Sequence, residues 1–151
     1  MLYHDLNNCS NKAICGTQAG ALSLVDIEES ERINFNDSAH DYQVWYASFS
    51  SHDAGNVVWS AADDASFKKF DIRVGLDQPV YMNKRHHTAG VTFVRSLDRI
   101  GCANPIPGPH MLLTGSYDCS LALWDERQMG REPLERLDTG GLSVWDVKVH
   151  P

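Results

Sequence analysis

The sequence holds no apolar run near the roughly 18–20 residues that a membrane-crossing helix needs, so no membrane partner is expected. The stretch from Met1 to Asn8 lacks both a basic start and an apolar core, so no export signal is expected there. Cysteine is sparse, and Cys9, Cys15, Cys102 and Cys119 leave no C-x-x-C pair for a zinc site or a redox dithiol. Without an export signal, these thiols are expected to be reduced, in a cytoplasmic protein. Basic residues are the minority, 13 Lys and Arg against 20 Asp and Glu, for a net charge of −7. That balance argues against a nucleic-acid partner, which wants a basic stripe, and favours a basic protein surface. No stretch keeps a period of 3.6, so helix should be minimal. There is no Gly-x-Ser-x-Gly elbow, no phosphate loop and no H-E-x-x-H pair. With 42% apolar residues the chain is too hydrophobic to be disordered.

What the chain does have is an internal repeat. The segment 57–73 aligns without a gap on 111–127, at a constant offset of 54. Ser60 falls on Thr114, Asp64 on Asp118, and Phe70-Asp71 on Trp124-Asp125. Upstream, His40 stands four residues before Val44, and His87 four before Val91, at an offset of 47. The difference is assigned to an insert at 98–109, whose three prolines and two glycines exclude a ladder strand. A third copy opens the chain, where the step from Gly16 to Val25 equals that from Gly115 to Trp124. A fourth begins at 144–149, which matches 44–49.

Within a unit, Val44, Tyr46 and Ser48 alternate with Trp45, Ala47 and Phe49, the period of a strand. Repeats of about 40–45 residues that end in Trp-Asp are the WD40 signature, which implies a β-propeller. The fold class expected is therefore all-β: a partial WD40 propeller of about three to three and a half blades, each a four-stranded antiparallel sheet. The whole of 1–151 reads as a fragment of one propeller. Its parts are a partial blade at 1–30, a blade at 31–74, a blade with its insert at 75–128, and the start of another at 129–151.

His87, Thr114, Asp118 and Trp124 fall where such blades carry a hydrogen-bond relay. Asp118 would accept from the imidazole, whose other nitrogen would meet the Thr114 hydroxyl. The Trp124 indole needs an acceptor when buried. His40, Ser60 and Asp64 repeat the pattern, but Phe70 cannot complete it. A histidine, a hydroxyl and an aspartate also compose a hydrolase triad. Recurrence at the same spacing, with a terminal Trp, favours a structural relay, and no catalytic residue is assigned. His86-His87 is expected to hold no metal, since adjacent strand residues point to opposite faces. The run 84–87 reads as a solvated basic turn. The loops at 38–43, 85–90 and 138–143 enter the inner strands, on the face where propeller ligands bind. Trp45 and Trp145 either flank that opening or pack between blades; the latter is expected.

The residues point to a narrower resemblance. It rests on the run Leu113-Thr114-Gly115-Ser116-Tyr117-Asp118, on Leu123-Trp124-Asp125-Glu126-Arg127, and on Pro133-Leu134. Gly140-Gly141, the Val144-Trp145 pair, the closing His150-Pro151 and the element His87-Thr88-Ala89-Gly90-Val91 extend it. Together they resemble the WD-repeat diphthine methyl esterases, also called diphthine methyltransferases. Leu142-Ser143, Asp146, Val149 and the insert depart from that pattern. The resemblance implies hydrolysis of the methyl ester of methylated diphthine on elongation factor 2, giving diphthine and methanol, without a cofactor. This is a step of diphthamide biosynthesis, with elongation factor 2 as protein partner. The alternative is a WD40 scaffold that binds proteins and catalyses nothing, since fold does not imply function.

Overall fold

The computed structural model describes residues 3–97, 110–130 and 132–147. The insert expected at 98–109, with Cys102, lies outside them. The described residues form twelve strands and no helix, so none is long and apolar enough to cross a membrane. Three antiparallel sheets of four strands follow one another along the chain. The first holds β1 (Tyr3–Leu6), β2 (Lys12–Gly16), β3 (Leu22–Asp26) and β4 (Glu31–Asn36). The second holds β5 (Val44–Phe49), β6 (Val57–Ala62), β7 (Phe67–Asp71) and β8 (Tyr81–Asn83). The third holds β9 (Val91–Leu97), β10 (Met111–Ser116), β11 (Ser120–Asp125) and β12 (Glu135–Asp138).

In each sheet the strands pair in chain order, and β5 packs between β1 and β9. These are blades of a partial propeller, stacked side by side along their inner strands. The core consequently lies between sheets. Ile14, Leu22, Leu24, Val44, Val58 and Phe70 pack between the first and second. Tyr46, Trp59, Phe67, Phe93, Leu112 and Trp124 pack between the second and third. Strands covered on both faces lose their amphipathic alternation: β6 and β10 are buried at every position. The outer strand β12 is exposed throughout.

The sheets run one strand out of step with the sequence repeat. The unit 31–74 opens with β4, the outer strand of the first sheet, and 75–128 opens with β8, the outer strand of the second. The stretch expected as a partial blade, 1–30, is completed by β4 into a full sheet. The opening of the unit 129–151 supplies β12, which closes the third sheet. Beyond it, 142–147 docks without forming a strand, through the Val144 N–H on the Ser116 carbonyl at 3.2 Å.

The alternation expected along 44–49 is also broken. Val44 pairs with Ala62 and Tyr46 with Ala61, so Trp45 is an extra residue in a β-bulge. Thr92 occupies the same place on β9, between Val91 opposite Ser116 and Phe93 opposite Gly115.

Candidate functional site

The turns between β6 and β7 and between β10 and β11 anchor two polar clusters. In the third sheet, His87 Nδ1 lies 3.3 Å from Asp118 Oδ2, and His87 Nε2 lies 2.9 Å from Thr114 Oγ1. The Trp124 indole N–H donates to Thr114 Oγ1 at 2.9 Å. In the second sheet, His40 Nδ1 lies 3.0 Å from Asp64 Oδ2, and His40 Nε2 lies 2.7 Å from Ser60 Oγ. All seven residues singled out in the sequence are thus brought into two relays. Phe70 ends the second one without a donor.

Each relay has a further member that the sequence reading passed over. Ser120 Oγ donates to Asp118 Oδ1 at 2.5 Å and lies 3.2 Å from His87 Nδ1. Ser66 does the same at Asp64 and His40, at 2.6 and 3.2 Å. Both serines sit at the repeat offset of 54, so the same alignment carried the signal. The turn residue before each, Ala65 and Cys119, has φ of 58° and 63°. The aspartate stabilises this left-handed turn by accepting the backbone N–H of Ser66 or Ser120, both at 3.0 Å.

The electrostatics make each histidine a neutral bridge. Burial pushes His87 down to about 4, outweighing the attraction of Asp118. Burial also lowers His40, against the pull of Asp64. Asp118 is held at about 2: burial works against this, but hydrogen bonds from Ser120, the Thr88 N–H and His87 prevail. With Asp118 anionic and His87 neutral, the proton sits on Nδ1, and Nε2 accepts from the Thr114 hydroxyl. That order matches a triad, but Thr114 is fully buried, so its oxygen has no path to a substrate. Ser60 is buried in the same way.

The relays also reach outward. Asp64 Oδ2 accepts the Asp41 N–H at 3.2 Å, and Asp118 Oδ2 accepts the Thr88 N–H at 2.9 Å. Each aspartate therefore ties one of the loops 38–43 and 85–90 to the turn beneath it.

Two expectations for these loops are corrected. His86 and His87 lie in the β8–β9 loop rather than on a strand, and both are buried. Their rings stand 4.9 Å apart, and His86 lies edge-on to Trp124 at 5.0 Å. Only Lys84 and Arg85 of the expected solvated turn are exposed, because Asn83 Oδ1 accepts the Arg85 and His86 N–H groups and folds the histidines inward. Among the described residues no group of three His, Cys, Asp or Glu is arranged to hold a metal ion.

Trp45 and Trp145 meet rings of neighbouring blades, but at the loop face rather than in the core between sheets. The bulge carries Trp45 out to the loop face, where it meets Tyr117 and Trp145 at ring-centroid distances of 6.0 and 5.9 Å. Tyr117 and Trp145 meet at 4.8 Å, and Trp145 is 58% exposed. The Trp45 indole N–H donates to Asp63 Oδ1 at 3.3 Å. Gly90 makes this close approach possible. A Cβ there would clash with Asp63 Oδ1 and lie 3.2 Å from Tyr117 Cδ2. Tyr117 and Asp63 are functional candidates that the sequence reading missed.

No family model matches the chain. It is 33% identical over 143 residues to the diphthine methyltransferase of Homo sapiens, covering 93% of this chain and 29% of that protein. It is 27% identical over 159 residues to a diphthine methyltransferase homolog of Dictyostelium discoideum, covering 97% of this chain and 40% of that one. A DDB1- and CUL4-associated factor 11 homolog of Caenorhabditis briggsae is 30% identical over 122 residues, 79% of this chain and 20% of its own length. The chain therefore spans well under half the length of the curated relatives it matches. Among solved structures, the crystal structure of a mitotic checkpoint complex aligns at a TM-score of 0.69 with 19% identity. That alignment covers 91% of this chain and 38% of the other, and supports the fold alone.

Proposed function

We propose that this chain, a partial WD40 propeller that resembles the diphthine methyltransferases over nearly its whole length, belongs to a propeller that hydrolyses the methyl ester of methylated diphthine on elongation factor 2. The resemblance at 33% identity to a protein of that name carries the reading. In the reaction, a water oxygen bonds to the ester carbonyl carbon, the bond to the methoxy oxygen breaks, methanol leaves with one of the water's protons, and the other is released to solvent. The product is the free carboxylate of diphthine. No redox or nucleotide cofactor is needed, and the reading carries a cytoplasmic location beside the translation factor.

In this proposal the seven relay residues are positioning residues. Their side chains are buried, and they act by fixing the backbone of the loops 38–43 and 85–90. The loop face they support is the surface offered to the protein substrate. The testing experiment incubates the full-length protein with elongation factor 2 bearing methylated diphthine and follows the modified peptide by mass spectrometry. Loss of one methyl group supports the reading. An unchanged peptide with a well-folded protein rejects it.

The second reading, a non-catalytic interaction scaffold, draws on the similarity to the DDB1- and CUL4-associated factor 11 homolog. An unchanged peptide together with a stable complex recovered by pull-down would favour it.

A further inference from the structure

The three rings on the loop face come from three successive blade positions. Trp45 stands on β5, Tyr117 in the β10–β11 turn, and Trp145 on the segment after β12. Their planes are nearly perpendicular to one another, at 78° for Trp45 with Tyr117, 84° for Trp45 with Trp145 and 89° for Tyr117 with Trp145. Three such planes meet edge to face as the corner of a box, with Trp145 its most exposed wall. Aromatic faces attract cations through the ring quadrupole, most strongly those of Trp.

One carboxylate stands beside the walls. Asp63 accepts the Trp45 indole N–H, and its charge adds to burial in raising the Tyr117 phenol. Among the described residues no basic side chain pairs with Asp63, whereas neighbouring Asp41 is taken up by Lys84 Nζ at 2.9 Å. A shallow depression lined by Gln18, Ala19, Asp41, Tyr42, Gln43 and Asp63 adjoins the box on the Asp63 side.

The arrangement is built rather than fortuitous. A bulge re-aims Trp45 out of the sheet. Gly115 and Thr92 seat the segment that carries Trp145, through Val144. Gly90 leaves room for Asp63 against Tyr117.

We propose that Trp45, Tyr117 and Trp145, with Asp63 beside them, form the seat of a quaternary ammonium group. A primary ammonium carries three N–H donors that need acceptors, and the box offers one carboxylate that already accepts from Trp45. A quaternary ammonium has no donor to satisfy. Its methyl groups bear the charge against the ring faces. Its identification with the trimethylammonium end of the diphthine side chain rests on the function proposed above. The seat would then hold the substrate by its fixed charge and leave the ester free to meet water.

The test is a titration of the full chain with acetylcholine, and in parallel with 3,3-dimethylbutyl acetate, its uncharged isostere. Binding is read from the indole N–H resonances of the four tryptophans. Trp59 and Trp124 are fully buried and report that the fold is intact. Acetylcholine is expected to move the Trp45 and Trp145 resonances and leave Trp59 and Trp124 in place, while the isostere moves none. Trp145→Leu and Asp63→Asn should each weaken binding by about fivefold to tenfold. Equal response to the isostere would overturn the proposal. So would no response at millimolar acetylcholine, or undiminished binding in both variants. The titration involves no turnover. Acetylcholine binding with no de-esterification of elongation factor 2 would reject the enzymatic reading and keep the seat. De-esterification without binding would do the reverse.

Discussion

Asp118 shows how much one side chain can hold. It accepts from His87, Ser120 and two backbone N–H groups, and so links the β10–β11 turn to the 85–90 loop. Asp118→Ala leaves the buried His87 N–H without its partner and is expected to cost about 1–3 kcal/mol, read from a urea unfolding midpoint. An unchanged midpoint would remove the relay from the account. The same residues set a pH dependence. His87 titrates at about 4 in the fold, against about 6.5 in the unfolded chain. Below 6.5 the unfolded chain binds the proton preferentially. The contribution of His87 should therefore be flat above about pH 6.5 and lower the stability as pH drops toward 4. His87→Gln should flatten part of that slope, and an identical slope in the variant would contradict it. The relay is legible in the sequence because residue types of distinctive chemistry recur at fixed offsets. Ser66 and Ser120 share the offset, but a serine beside a turn has too many ordinary uses to stand out.

Glycines at the sheet ends set how closely neighbouring strands approach. A Cβ on Gly16 would meet Val44 Cγ1 at 2.7 Å, and one on Gly115 would meet Val144 Cγ1 at 2.5 Å. The contacts are equivalent in the repeat, but their surroundings differ. Val44 belongs to β5, which is paired with β6 and packed between β1 and β9. Val144 lies on a segment outside any sheet. Gly16→Ala is expected to cost about 1–3 kcal/mol, because the strand cannot yield. Gly115→Ala should cost under about 1 kcal/mol and instead displace the Trp145 indole resonance, because the segment moves first. Equal costs would contradict this division. The strands themselves are legible from turn residues and short apolar runs. The bulge at Trp45 is not, since an extra residue in a ladder leaves the local pattern of Val, Trp and Tyr unchanged. That is why the aromatic box escapes the sequence: it depends on one slipped residue and on a segment that meets β10 only in the fold.

The molecule as a whole is a row of sheets whose cores lie between neighbours, so each blade depends on the next for its stability. Its all-β class and its blades follow from the repeat. The one-strand offset between repeat and sheet does not, because a repeat alone does not say where hydrogen bonding begins. The three blades bring their loops to one face, which in the function proposed above presents an ester of elongation factor 2 to water. The most direct test is to run the full-length protein with methylated diphthine on elongation factor 2 in water enriched in heavy oxygen, and to weigh the peptide. The expected product has lost one methyl group and gained one heavy oxygen in its carboxylate, with unlabelled methanol released. A peptide that keeps its methyl group, or loses it with no heavy oxygen gained, would contradict ester hydrolysis on this face.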